Sequence, residues 1–158
     1  MGMLLVTACS VGDAPEGEGA PLLTATTLGL QEIMTNRAWL EAPVYAAADA
    51  RRGELLSAQC RACHSLQRDG DNIIGPNLFG FFGKPAGRSS TYEYSAGLAS
   101  GDFTWTPRAL DAWLANPGRF LPGNKMAYPG LLYVEDRNAL IAYLLRVTDD
   151  EDASSSGE

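Results

Sequence analysis

Residues 65–104 set the hardest constraint on what this chain can fold into. The stretch is crowded with Gly, Ser, Asn and Asp, holds few periodic apolar runs and shows no strong strand pattern. So much irregular chain within one small domain leaves too little helix or sheet to bury a core unaided. A large rigid cofactor resolves the conflict, because loops can then pack on it in place of a sheet. The flanking segments read as helices. Residues 46–59 form one, leading into a cysteine pair. Thr106 as N-cap and Pro107 at the first helical position open a second, which runs to Asn116, where Asn116-Pro117-Gly118 stops it. Residues 135–147 form a final amphipathic helix, with Leu140, Ile141, Leu144 and Leu145 apolar. The expected class is all-α, helices and long loops around one cofactor, with no internal repeat.

The cofactor is specified just ahead of the loops. Cys60-Arg61-Ala62-Cys63-His64 is the C-x-x-C-H pattern of covalent haem attachment. Two thiols on one helical turn can form thioethers along one edge of the macrocycle. The adjacent histidine then supplies a neutral imidazole nitrogen to the iron. A thioredoxin-like redox pair would need a strand–helix–strand setting, which is missing. A zinc site would need four Cys or His ligands, and His64 is the only histidine. A structural disulfide would leave the loop-rich region unexplained. With one histidine, bis-histidine ligation within the chain is impossible, so the sixth ligand is a methionine or nothing. The methionines are Met1, Met3, Met34 and Met126.

Charge divides the 158-residue chain. Its net charge of −7 comes from the ends: residues 1–46 carry −4 and residues 149–158 carry −5, while residues 47–148, with 11 basic against 9 acidic side chains, carry +2. No basic stripe supports nucleic-acid binding. No stretch is long and apolar enough to span a membrane as a helix. At the N-terminus, Val6-Thr7-Ala8-Cys9 after a short apolar run resembles a bacterial lipoprotein signal in which Cys9 takes the lipid. No Lys or Arg precedes the run, and the run is short; a start further upstream would account for both. The competing reading is an ordinary N-terminus with an incidental cysteine. The expected organisation is a signal at 1–9, a flexible linker at 10–27, a pre-domain segment at 28–44, the main domain at 45–148 and an acidic disordered tail at 149–158. Leu30, Ile33, Met34 and Arg37 sit at helical spacing, which predicts a helix over 28–40 that Pro43 ends, packed on the domain or docking a partner.

From these motifs the chain resembles class I cytochromes c, specifically the mitochondrial-type proteins and their close bacterial relatives. The resemblance covers about residues 47–148. It rests on Cys60–His64, Gly75-Pro76-Asn77-Leu78, Gly80-Phe81-Phe82-Gly83-Lys84, Tyr94, Trp105, Leu114-Ala115-Asn116-Pro117, Phe120-Leu121-Pro122-Gly123-Asn124-Lys125-Met126 and Leu140-Ile141-Ala142-Tyr143-Leu144, in order. It implies the class I fold around one covalent haem c, with His64 and Met126 as axial iron ligands and Cys60 and Cys63 as thioethers. It further implies that the Pro76 carbonyl orients His64 and that Tyr94 and Trp105 hydrogen-bond a haem propionate. Asn124, in place of the usual threonine, would do the same. Leu56, Leu140 and Tyr143 would join the first and last helices. Two departures make the pocket less polar: Trp113 stands where a tyrosine is common, and Leu98 where an asparagine is common.

The function this implies is a one-electron carrier between a donor and an acceptor redox protein, with a membrane-bound oxidase or dehydrogenase as a fitting partner. It implies no catalysis. A sensing protein in which Met126 yields to a small ligand, and a fixed subunit docked through residues 28–43, are the alternatives. Haem attachment of this kind in bacteria takes place outside the cytoplasmic membrane, so a periplasmic location follows, tethered by lipid at Cys9. Docking would use a modest positive surface of Arg61, Lys84, Arg119 and Lys125; the competing reading is that these are ordinary solvated surface charges.

Overall fold

The computed structural model describes residues 23–87 and 89–150; the signal at 1–9 with Cys9, and most of the tail, lie outside the described residues. Among the described residues there are seven helices: α1 (Asn36–Leu40), α2 (Pro43–Ala46), α3 (Ala50–Arg61), α4 (Ala96–Ala99), α5 (Pro107–Ala115), α6 (Pro117–Phe120) and α7 (Val134–Val147). The only β pairing among them is an isolated bridge between Pro85 and Thr104. The architecture is all-α.

α3, α5 and α6 each start where a short polar side chain accepts an orphan N–H, whereas α7 starts after Tyr133 with no side-chain cap. Asp49 accepts from the Arg52 amide at 2.9 Å and opens α3. Thr106 accepts from the Ala109 amide at 3.2 Å, with Pro107 next, and opens α5. Asn116 ends α5 and caps α6, accepting from the Arg119 amide at 2.9 Å. α3 packs along α7, and the close approach depends on Gly53, whose hydrogen faces the Ala139 carbonyl and the Tyr143 Cβ. Leu56, Leu140, Ile141, Leu144 and Leu145 are buried in the shared core. A bidentate Arg52–Asp136 pair, both bonds 2.7 Å, ties the helix ends at the surface.

The pre-domain segment departs from expectation. Residues 28–35 are not helical, and α1 begins only at Asn36, capped by Thr35. Leu30 is 100% exposed, whereas Leu28 and Trp39 are buried, so the burial does not follow the helical stripe. Pro43 does not close a helix but starts α2, and Asp49 restarts the chain as α3, so residues 46–59 are not one helix. The expected linker also ends early. Residues 23–27 form a turn against the domain, with the Ala25 amide donating to the Phe120 carbonyl at 3.1 Å. At the other end Asp149 and Asp150 belong to the packed structure, and Asp150 pairs with Arg68 at 3.1 Å.

The long loops hold their shape through side chains that replace a ladder. Asn77 Nδ2 donates to the Gly70 and Gln67 carbonyls at 2.6 and 3.0 Å, and its Oδ1 accepts from the Phe79 amide at 2.6 Å. Asn72 Oδ1 accepts from the Asn77 amide at 2.9 Å. These bonds bend residues 65–79 around one wall of a cavity.

Candidate haem site

The cavity has a volume of about 950 Å³ and collects residues from the end of α3, from α4 and α5 and from the loops between them and after α6. Cys60, Cys63 and His64 reach it from the end of α3, and Met126 from the loop after α6. Pro76, Tyr94, Trp105 and Trp113 also line it.

The end of α3 folds tightly. The Cys60 carbonyl accepts the Cys63 and His64 amides at 3.0 and 2.9 Å, which turns both thiols and the imidazole to one side. Cys60 and Cys63 are free thiols. Burial, the largest influence, pushes the Cys60 thiol up to about 11, so it stays protonated at neutral pH. His64 Nδ1 donates to the Pro76 carbonyl at 2.6 Å. That bond fixes the tautomer and leaves Nε2 with a bare lone pair, the form a metal requires. Burial lowers the His64 pKa and favours the same neutral ring, against a smaller opposite effect of the Pro76 bond. Gly75 lies flat against the imidazole: a Cβ there would come within 2.7 Å of Nδ1 and 2.8 Å of Nε2. The Gly75 amide is held by the Cys63 carbonyl at 2.8 Å, so this wall cannot easily retreat.

Met126 is part-buried, and its sulfur accepts a hydrogen bond from Trp113 Nε1 at 3.1 Å. Trp113 packs edge-on against Trp105 at 5.4 Å and Phe120 at 5.8 Å. Trp105 also meets Phe103 at 5.0 Å, so one aromatic stack backs this side of the cavity. Tyr94 lines the cavity beside Tyr92, its pKa raised mainly by burial and opposed by a hydrogen bond with Ser89.

One expected site residue falls elsewhere. Asn124 does not line the cavity. Its amide nitrogen donates to the Pro117 and Leu121 carbonyls, both at 2.9 Å, and its Oδ1 accepts from the Met126 amide at 2.9 Å. With its donors and acceptor used inside the turn, it shapes the methionine loop and has no hydrogen left for a propionate. Of the four cations expected near the site, Lys84 and Lys125 line the cavity. Arg61 instead reaches the Tyr143 hydroxyl at 3.3 Å, and Arg119 sits on α6 outside the lining. Arg68 and Asp150, not singled out from sequence, do line it.

The donor set suits haem iron: two thiols and an adjacent neutral imidazole at one place, a soft thioether at another, and a largely apolar wall between them. The Gly75 contact, which leaves room for the imidazole and nothing larger than hydrogen behind it, is what a fixed axial ligand needs.

Comparison with known proteins gives the same assignment. The Cytochrome c family matches residues 50–148. Proteins named cytochrome c from Kluyveromyces lactis and Chlamydomonas reinhardtii are 32% and 39% identical over 107 and 109 residues. Each alignment covers 68% of this chain, with 97% and 95% of the respective relatives. A cytochrome c from Ginkgo biloba is 36% identical over 104 residues, 65% of this chain and 92% of that protein.

Proposed function

The chain belongs to the cytochrome c family, and from that premise we propose that it is an exported one-electron carrier with His64 and Met126 as axial ligands to the iron. It carries covalently bound haem c and is an electron-transfer protein, not an enzyme. When bound, haem c supplies a one-electron iron couple. The protein's part is to hold that couple and set its potential.

The observation that carries the ligand reading is the pairing at one cavity of an imidazole with its Nδ1 occupied by Pro76 and a thioether oriented by Trp113. Cys60 and Cys63 would hold the haem as thioethers, and His64, through its free Nε2, and Met126, through a soft sulfur that favours the reduced state, would hold the iron. Tyr94 and Trp105 line the cavity, and their O–H and N–H are the donors that would offset the cost of a buried propionate. Phe81, Leu98, Leu110 and Trp113 exclude water from the iron's surroundings. Docking to donor and acceptor proteins uses the edge at the exposed Lys84 and Lys125. Residues 10–22 then tether the domain to a membrane through lipid on Cys9, on the periplasmic side, which raises the local concentration at a membrane-bound partner.

The test is spectroscopic. Haem should resist acid–acetone extraction, and the oxidised protein should show the weak far-red sulfur-to-iron band. Met126→Ala should abolish that band and lower the potential. A wild-type protein without the band, or with freely extractable haem, would overturn the reading.

A further inference from the structure

Residues 23–40 precede the segment that matches the family, yet they are anchored to the domain at four places. The Ala25 amide donates to the Phe120 carbonyl at 3.1 Å, Asn36 Nδ2 to the Leu145 carbonyl at 2.9 Å, and Trp39 packs on Phe82 at 5.9 Å. The fourth anchor is Gln31. Its Nε2 donates to the Thr104 carbonyl at 2.7 Å and to Thr106 Oγ1 at 3.1 Å, while its Oε1 accepts from the Thr104 amide at 2.9 Å.

The geometry is that of a strand edge. In extended chain, successive residues aim their backbone groups to opposite sides. Here Phe103 and Trp105 pair with residues 83–86. The Trp105 amide donates to the Lys84 carbonyl at 2.9 Å, the Gly83 amide to the Trp105 carbonyl at 2.9 Å, and the Ala86 amide to the Phe103 carbonyl at 2.8 Å. Thr104 faces the other way, and one glutamine side chain bonds both its backbone groups, as a neighbouring strand would; the Thr104 carbonyl also accepts the Thr106 amide at 2.9 Å. Trp105 is therefore clamped from both edges. Its ring lines the haem cavity and abuts Trp113, whose N–H holds the Met126 sulfur.

We propose that Gln31 is a positioning residue for the haem iron: by locking residues 104–106 it fixes Trp105 and, through the Trp105–Trp113 contact, the orientation of Met126. The N-terminal belt is thereby part of the redox site and not a spacer alone. This rests on Met126 being the axial ligand.

Asn36 separates this role from a merely structural one. It belongs to the same belt and also bonds one backbone carbonyl, but that of Leu145 on α7 and none of residues 104–106. Full-length, haem-loaded wild type, Gln31→Ala, Gln31→Glu and Asn36→Ala are compared by three measurements: the far-red band of the oxidised form, the rate of carbon monoxide binding to the reduced form, and the thermal midpoint. Gln31→Ala should weaken the band and speed carbon monoxide binding on the order of 3- to 10-fold, the usual reach of an indirect contact. Gln31→Glu keeps the shape and the acceptor for the Thr104 amide but loses both donors, so it should fall between, even if the alanine variant folds poorly. Asn36→Ala should lower the midpoint comparably and leave band and binding rate at wild-type values. Equal carbon monoxide rates in the Gln31 and Asn36 variants overturn the proposal while leaving Met126 as ligand. A wild type that lacks the band overturns both.

Discussion

Replacing Trp113 with phenylalanine isolates a single hydrogen bond at the iron's proposed sulfur ligand. Trp113 is buried, its ring lies against Trp105 and Phe120, and its Nε1 donates to the Met126 sulfur at 3.1 Å. Phenylalanine keeps an aromatic ring in that stack and removes the donor. A hydrogen bond of this kind is worth about 0.5–1.5 kcal/mol net. An N–H that draws on the sulfur's electron density makes it a poorer donor to the metal, and the oxidised iron, which needs that density more, is disfavoured. The bond therefore raises the potential. For one electron a tenfold change, about 1.4 kcal/mol, corresponds to about 59 mV, so removing the bond should lower the midpoint by about 20–60 mV. The smaller ring also leaves a void, at a cost of about 1–2 kcal/mol in stability. Potentiometric titration followed by the haem absorption bands measures the shift, and the far-red band reports that Met126 stays bound. A midpoint equal to wild type, or higher, with the band intact would refute the reasoning, because the donor would then not distinguish the two oxidation states.

Gly75→Ala places a methyl group against the His64 ring, whose backing is pinned by the Cys63 carbonyl; the yield of holoprotein should fall sharply, measured as haem per chain, while the conservative Leu78→Ile leaves it near wild type. Cys9→Ser should move the cytochrome from the membrane fraction to the soluble fraction, or block its maturation, as read by immunoblot of both. The rate of electron transfer to an acidic redox protein should fall as salt rises, since exposed charges are screened within about 10 Å at 0.1 M. Deleting residues 149–158 should raise that rate at low salt, because it removes the Asp150 carboxylate from Arg68 at the cavity; stopped-flow mixing checks both.

What the sequence reveals of the site depends on how local the chemistry is. Cys60, Cys63 and His64 are legible outright, because two thioethers and an axial ligand on one macrocycle dictate their spacing along a helical turn. The Pro76 carbonyl and Met126 are legible only through the resemblance, since nothing in the intervening loop shows that His64 Nδ1 will meet a carbonyl 12 positions on. Trp113 stands out as a departure from the usual tyrosine, yet its hydrogen bond to sulfur appears only in three dimensions. Asn124 is bonded within its own turn for a related reason. A side-chain amide beside a turn can satisfy a carbonyl three residues back and an amide two residues on, and a sequence motif does not display these near partners.

The belt is the least legible part, and the cause is energetic. A helix over residues 28–40 would be short for independent stability in water, where about 12–15 residues are already marginal. It would form only if packing on the domain favoured the face that Leu30 and Ile33 share. Packing instead favours Leu28 and Trp39, and Gly29, at a φ of +68°, breaks any helix between them. Gln31 then makes three hydrogen bonds to residues more than 70 positions away. In a helix that side chain would face water. The periodicity in this segment is real, but the bonds that decide its conformation are made with a strand edge that local pattern cannot see. That edge is exposed by the same loop-rich chain that makes room for the haem, so the belt and the cavity are two consequences of one shortage of regular structure.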